Sequence, residues 1–190
     1  SSNVDNSTIT NHGTISASAN LGYGILYEND GTNRVNNTLN NYGTISATSG
    51  SFADGIGIGR SATPMFNITI NNYGTITGSG NSIFILNSSS TGINIVTKDE
   101  GTYEGSIDLK DSTTTMTLDC SISKDQKIEI LNKTNMVVTN NLCGNDTYEI
   151  LDSNSDPDAD NSETDGFLYV YGEDLDLSLI HISEPTRRLI

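Results

Sequence analysis

Three short stretches of the sequence repeat one pattern and decide the fold. They read ITNHGTISA at residues 9–17, LNNYGTISA at residues 39–47 and INNYGTITG at residues 70–78. Their glycines are Gly13, Gly43 and Gly74, so the copies lie 30 and 31 residues apart. A fixed period of this length is typical of repeat proteins in which each repeat forms one unit of a stack.

Two further apolar stretches recur between these copies. The first is YGILY at 23–27, GIGIG at 55–59 and SIFIL at 82–86, and the second is RVNNTL at 34–39, MFNITI at 65–70 and GINIV at 92–96. Each period therefore contains about three short strands, and no stretch keeps the 3.6-residue period of a helix. These features predict an all-β fold, a parallel β-helix with coils of about 30 residues.

The alternation of side chains within the strands predicts which residues face the core. Ile9, Leu39 and Ile70 occupy one inward position. A second inward position holds Ile15, Ile45 and Ile76, and a weaker fourth copy, TYEGSID, aligns Gly105 with the repeated glycines and adds Ile107 to this row. Stacked coils would place such side chains about 4.8 Å apart. Burial of each would contribute roughly 1.5–3 kcal/mol. A single coil cannot bury its own inner face, so this stabilisation requires at least three stacked coils.

The turn of each copy predicts a structural ladder made of Asn11, Gly13, Asn41, Gly43, Asn72 and Gly74. A glycine at a fixed offset suggests a backbone position with positive φ. Asparagine amides at equivalent positions can bond to the copies above and below. The residue beside each glycine is aromatic, namely His12, Tyr42 or Tyr73, and we expect these rings to stack outside the coil.

The chain divides into three segments by composition. Residues 1–107 carry the regular repeats, and residues 108–176 remain strand-like, so we expect less regular coils there with an acidic loop at 153–166. Residues 177–190 read LSLIHISEPTRRLI, and their first eleven residues resemble a translated transposase sequencing adaptor. We therefore expect 177–190 to be non-native read-through and exclude it from the fold.

Charge and hydropathy exclude two classes of partner. The formal net charge of the 190 residues is −15, and a surface of this sign repels the phosphates of a nucleic acid. No stretch approaches the roughly 20 apolar residues that span a bilayer as a helix, so we expect no membrane insertion by this segment. The acidic residues are distributed unevenly along the chain. Of the 24, those before Lys98 are Asp5, Glu28, Asp30 and Asp54, so the repeat region is nearly neutral and the second half is acidic.

The order of these parts resembles a known family. Repeated NxGTIS copies, then VTNNLCGNDTYEILDSN, an acidic insert and GFLYVYGEDLDL, are similar to the passenger domain of Gram-negative autotransporter adhesins. The resemblance implies a right-handed β-helix, exported across the outer membrane and displayed on the bacterial cell surface or secreted. It also implies a C-terminal β-barrel as a partner within the full-length protein. Adhesion to a host cell surface, matrix protein or glycan is the function that it implies.

The two cysteines, Cys120 and Cys143, are 23 residues apart, which is close to one coil. Adjacent strands bring Cα atoms into the range that a disulfide needs, so either a disulfide or two free thiols fits the spacing. A zinc site is not expected, because two cysteines without a neighbouring histidine supply too few ligands. The acidic run at 156–165 lacks the glycine and the glutamate of an EF-hand, so no metal or other cofactor is predicted.

Catalysis is the main alternative to adhesion. Some β-helix proteins are polysaccharide lyases or hydrolases, which cluster carboxylates with basic residues on one face. The regular coils offer only a thin set of such residues, namely Glu28, Asp30, Arg34, Asp54 and Arg60. We therefore predict no catalytic residue and no enzyme. A purely structural stalk for another module is the third interpretation that the sequence leaves open.

Overall fold

The computed structural model describes residues 6–18, 21–28, 36–50, 52–60, 62–123, 126–144, 146–152 and 165–171. These residues form fifteen β-strands and no helix. The first eight strands are β1 (Thr8–Asn11), β2 (Thr14–Ala17), β3 (Leu21–Tyr27), β4 (Asn37–Asn41), β5 (Thr44–Ala47), β6 (Phe52–Ile58), β7 (Ile68–Asn72) and β8 (Thr75–Ile85). The remaining strands are β9 (Thr91–Thr97), β10 (Thr102–Asp108), β11 (Thr113–Leu118), β12 (Gln126–Leu131), β13 (Met136–Asn140), β14 (Thr147–Asp152) and β15 (Gly166–Tyr171).

The strands assemble into two sheets that the chain visits alternately. Sheet A has the order β1-β4-β7-β9-β11-β13, and every neighbouring pair in it is parallel. Sheet B contains the parallel series β2-β5-β8-β10-β12, and β3 and β6 extend it beside β8. Each pass of the chain adds one rung to each sheet. The predicted all-β fold of stacked parallel coils is confirmed, and the molecule is a parallel β-solenoid.

The register of the first three coils is the one that the repeats predict. Ile9 pairs with Leu39 and Leu39 with Ile70 in sheet A, and Ile15, Ile45 and Ile76 pair in the same way in sheet B. The second- and third-coil members of both rows are 0% exposed, whereas Ile9 is 37% exposed. Ile9 is less buried because the described part of the chain stacks a coil on only one side of it. Stacking, rather than the coil alone, buries the core.

The fourth coil does not follow the predicted alignment, and Ile107 does not continue the row of Ile76. Tyr103 pairs with Ile76, and Ile107 pairs instead with Ile83 in the second half of β8. Gly105 has a φ of +104° and lies at a register shift inside β10, so it is a bulge residue rather than a turn glycine. The coils shorten from this point, since Ile70 pairs with Ile95 and Ile95 with Met116.

Within the described residues, an antiparallel pair of strands follows the parallel coils. The last described parallel strand is β13, after which β14 and β15 pair antiparallel and β15 also pairs antiparallel with β12. Coils were expected throughout 108–176, so this ending is a correction. The inner side chains Leu168 and Val170 are 0% exposed, which extends the core beyond β12. The pair covers the edge of β12 and caps that end of sheet B.

Two predicted segments fall largely outside the described residues. The acidic loop at 153–166 is described only at Asp165 and Gly166, and the read-through at 177–190 is not described at all. Asp165 accepts a hydrogen bond from the backbone N–H of Asn132, 2.7 Å away, through its Oδ1 atom. The described end of the acidic loop is therefore held against the turn that follows β12.

Candidate functional site

The asparagines of the turn ladder form a continuous row of buried hydrogen bonds. The Nδ2 atom of Asn11 donates to Oδ1 of Asn41 at 2.9 Å, and Nδ2 of Asn41 donates to Oδ1 of Asn72 at 2.9 Å. Each amide also donates to a backbone carbonyl oxygen of the next coil, as from Asn41 to Thr75 at 3.2 Å. Asn41 and Asn72 are 0% exposed. These amides are satisfied by the fold itself, so their role is to hold the coils in register.

The turn glycines are required for a different reason than the sequence suggested. Gly13, Gly43 and Gly74 are absent from the described residues with positive φ, so the expected left-handed backbone is wrong. A Cβ atom on Gly43 would overlap the carbonyl oxygen of Gly13, and one on Gly74 would overlap that of Gly43. The space at Gly13 is open. Glycine is needed because successive turns stack backbone to backbone.

The row of asparagines ends where the repeat ends. Thr97 pairs with Asn72, and its Oγ1 atom lies 3.1 Å from the hydroxyl oxygen of Tyr103. Burial raises the pKa of the Tyr103 phenol to about 12, although hydrogen bonds to Thr97 and Asn72 act in the opposite direction. Tyr103 therefore provides the polar group that terminates the asparagine row in the fourth coil.

The aromatic residues of the turns stack along the outside of the solenoid, as predicted. The ring centroids of His12 and Tyr42 are 4.8 Å apart and those of Tyr42 and Tyr73 are 4.3 Å apart. The next rung places Nζ of Lys98 5.6 Å from the centroid of Tyr73, and Lys98 pairs with Asp119 at 3.4 Å. Because the rings are stacked face to face, the row presents mainly ring edges to solvent, and Tyr42 is 46% exposed.

A second asparagine row lies at the corner before sheet A, and the sequence analysis missed it. Asn6, Asn36 and Asn67 have positive φ values of 58°, 63° and 54°. The Nδ2 atom of Asn36 donates to Oδ1 of Asn6 at 3.0 Å. All three residues begin N-x-T patterns that recur at the repeat spacing. That recurrence was the available signal, because asparagine tolerates the left-handed conformation better than most residues.

The outer surface of sheet A, called here the threonine face, consists of two rows that cross six strands. The first row is Thr8, Thr38, Thr69, Asn94, Thr115 and Val137. The second row is Thr10, Asn40, Asn71, Val96, Thr117 and Thr139, of which Val96 is only 7% exposed. Neither row contains a charged residue, although the chain carries a net charge of −15. The charge of the molecule is therefore placed elsewhere.

The two cysteines come together at the far end of the described coils. Cys120 and Cys143 form a disulfide with a Cα–Cα distance of 4.7 Å. Cys120 follows β11, and Cys143 follows β13, which is the neighbouring strand of sheet A. The bond therefore ties together the last two rungs of this sheet.

The thin set of charged residues considered for catalysis is engaged in local contacts. Asp54 is 5% exposed, and its Oδ1 atom accepts hydrogen bonds from the backbone N and from Nδ2 of Asn81 at 2.8 and 3.1 Å. Burial raises the pKa of Asp54 although these hydrogen bonds lower it. Arg60 forms an ion pair with Glu28. Asp30 and Arg34 lie outside the described residues.

Two further observations concern ions and membranes. Among the described residues, no group of three or more His, Cys, Asp or Glu side chains is placed to hold a metal ion. Within the same part of the chain, no helix is long and apolar enough to cross a membrane.

A scan against protein-family models, a search of curated proteins and a search of solved structures each found no match to this chain.

Proposed function

We propose that this chain is a passenger segment of an autotransporter adhesin, displayed on the bacterial cell surface, where it mediates adhesion or cell contact. The observation that supports this proposal best is the repetition of identical polar groups along a rigid solenoid. Tyr42 and Tyr73 stack on the outside of the turns, and rows of threonine and asparagine cross sheet A. A partner with repeated groups can meet several rungs at once.

The proposed mechanism is multivalent binding through several weak contacts. Once one rung has bound, the next contact is intramolecular, so the overall affinity exceeds that of each contact without any deep pocket. A solenoid is suited to this mechanism, because it holds successive rungs at fixed spacing on an extended surface. The partner would be a host cell surface, a matrix protein or a glycan.

The test is the binding of the purified, disulfide-bonded chain to panels of cells, matrix proteins and glycans. We expect binding above that of an unrelated acidic protein. Tyr42→Ser, which interrupts the stacked aromatic row, should weaken it. Tyr171→Ser is the matched control, because Tyr171 lies on the terminal strand pair and contacts Glu149 there.

The remaining interpretations predict other outcomes of the same panel. Equal, background-level retention of the chain on every surface would contradict adhesion and leave the role of a structural stalk. Release of oligosaccharides from a glycan of the panel would instead indicate a polysaccharide lyase or hydrolase. Asp54 would then be the first residue to replace, because it combines burial with a raised pKa.

A further inference from the structure

The threonine face differs from the rest of the molecule in composition. Its twelve positions comprise seven threonines, three asparagines and two valines. Serine, aromatic and charged residues are absent from these positions. Of the two outer rows of sheet B, one is also all threonine (Thr14, Thr44, Thr75 and Thr102), whereas the other contains Ser16, Ser46 and Glu104. The face is therefore neutral throughout and alternates hydroxyl, amide and methyl groups.

The geometry of this face is that of a two-dimensional lattice. Adjacent strands of a sheet lie about 4.8 Å apart, and alternate residues of one strand lie about 6.6 Å apart. No shift of register interrupts the rows from β1 through β7, where Thr8, Thr38 and Thr69 are successive partners. The first row continues across three more strands through Asn94, Thr115 and Val137.

The polar groups on the face are ordered before any ligand arrives. The Nδ2 atom of Asn71 donates to Oδ1 of Asn40 at 2.8 Å, and the hydroxyl of Thr117 donates to Oδ1 of Asn94 at 2.9 Å. Within the described part of the chain, the hydroxyls of Thr38 and Thr69 make no protein hydrogen bond, so they are available to water or to a ligand. Threonine also has a stiff χ1 angle in a strand, which fixes the position of its hydroxyl and methyl groups.

We propose that the threonine face binds ice. The spacing between adjacent strands of this face is close to one repeat of the oxygen atoms on the prism faces of ice, so ordered water can bridge successive rungs to the lattice. Charged side chains would hold their own hydration shells and disturb that layer, and none is present. A neutral crystalline polysaccharide is also periodic, but the face lacks the aromatic side chains that would pack against sugar rings. This inference does not depend on the proposed adhesion.

The test measures thermal hysteresis and inhibition of ice recrystallisation with the purified, disulfide-bonded chain. The expected result is a faceted ice crystal and a measurable hysteresis gap. Thr69→Lys, near the centre of the face, should abolish the gap, and Thr115→Lys should do the same from another rung. Thr147→Lys is the matched control, since Thr147 is an exposed strand residue outside the face. Circular dichroism of each variant verifies that the fold is retained.

Two results would overturn the proposal. One is the absence of both hysteresis and recrystallisation inhibition in the unmodified chain. The other is equal activity in Thr69→Lys, Thr115→Lys and Thr147→Lys, which would place the ice contact elsewhere. A parallel sedimentation assay with microcrystalline cellulose distinguishes the competing ligand. Sedimentation that is lost in Thr69→Lys, without activity toward ice, would assign the face to a neutral polysaccharide.

Discussion

At the scale of single residues, the repeat is maintained by buried asparagine side chains whose hydrogen bonds link each coil to the next. Asn41 accepts a hydrogen bond from Asn11 and donates one to Asn72, and all three amides lie on the same side of the stacked turns. An unsatisfied buried amide would cost about 1–3 kcal/mol, so each asparagine depends on its neighbours above and below. The row therefore specifies register in addition to contributing stability.

The turn glycines give the sharpest test at this scale. Gly43→Ala should lower the free energy of unfolding by about 2–3 kcal/mol, because the new methyl group would overlap the carbonyl oxygen of Gly13. Gly13→Ala places the same group in open space and should change stability by less than about 0.5 kcal/mol. Urea unfolding of the two variants measures the difference. Equal effects would show that the turns are not stacked as described.

Asp54 gives a prediction about pH. Its pKa is raised, mainly by burial, so its contribution to stability is present at acid pH and is lost as the pH rises through the folded-state pKa. Asp54→Asn should therefore be at least as stable as the unmodified chain at neutral pH. This relative advantage should shrink as the pH falls below the usual carboxyl range. Thermal unfolding across that range measures the trend.

Asp119 serves as the matched control for this pH dependence. Partial burial raises its pKa, but hydrogen bonds from Ser121 and the charge of Lys98 outweigh burial and hold the pKa below its ordinary value. Its contribution to stability is therefore present above the ordinary carboxyl pKa and is lost at acid pH. Asp119→Asn should destabilise the chain at neutral pH, and its effect should disappear on acidification. The same sign for both variants would contradict these assignments.

At the scale of strands and turns, the disulfide is the element that can be removed most cleanly. It closes a segment of 23 residues between the turns after β11 and β13. Restricting the unfolded chain over such a length contributes about 3 kcal/mol. The double variant Cys120→Ser, Cys143→Ser should lose about that amount in urea unfolding. A reducing agent should destabilise the unmodified chain equally and leave the double variant unchanged, and any other pattern would indicate free thiols.

The elements also show how far the sequence could predict the structure. The three clear copies predicted the rows of Leu39 and Ile45, because both local alternation and the 30-residue spacing pointed to them. The fourth coil could not be aligned by its glycine. Gly101, rather than Gly105, precedes the strand that stacks on β8, since Thr102 donates its N–H to the carbonyl of Gly74.

The antiparallel ending was not predictable for a related reason. The alternation of TYEIL and GFLYVY is the same whether these strands pair parallel or antiparallel, and only their pairing with β12 distinguishes the two. The second asparagine row was not predicted, because N-x-T patterns such as those at Asn6, Asn36 and Asn67 are expected by chance in a chain rich in asparagine and threonine. The stacked rows were therefore predictable where the repeats are regular, and not where the coils become shorter.

At the scale of the whole molecule, the solenoid separates its surfaces by charge. The threonine face on sheet A is neutral across all six strands. Charged residues appear on other parts of the later coils, including Glu104, Lys127 and Glu129. Both proposals for the function of the chain depend on this arrangement, because a repeated neutral surface requires that the coils stack in one fixed register.

The most direct test of that register is disulfide cross-linking of cysteines introduced on the threonine face. Thr38 and Thr69 are direct partners on β4 and β7, and adjacent strands about 4.8 Å apart lie within the range that a disulfide requires. We predict that Thr38→Cys, Thr69→Cys links within one molecule on mild oxidation, while Cys120 stays bonded to Cys143. Thr38→Cys, Thr77→Cys, which places the cysteines on different sheets, should not link. Peptide mapping by mass spectrometry that finds no link between positions 38 and 69, or an equal link between positions 38 and 77, would contradict the stacked solenoid.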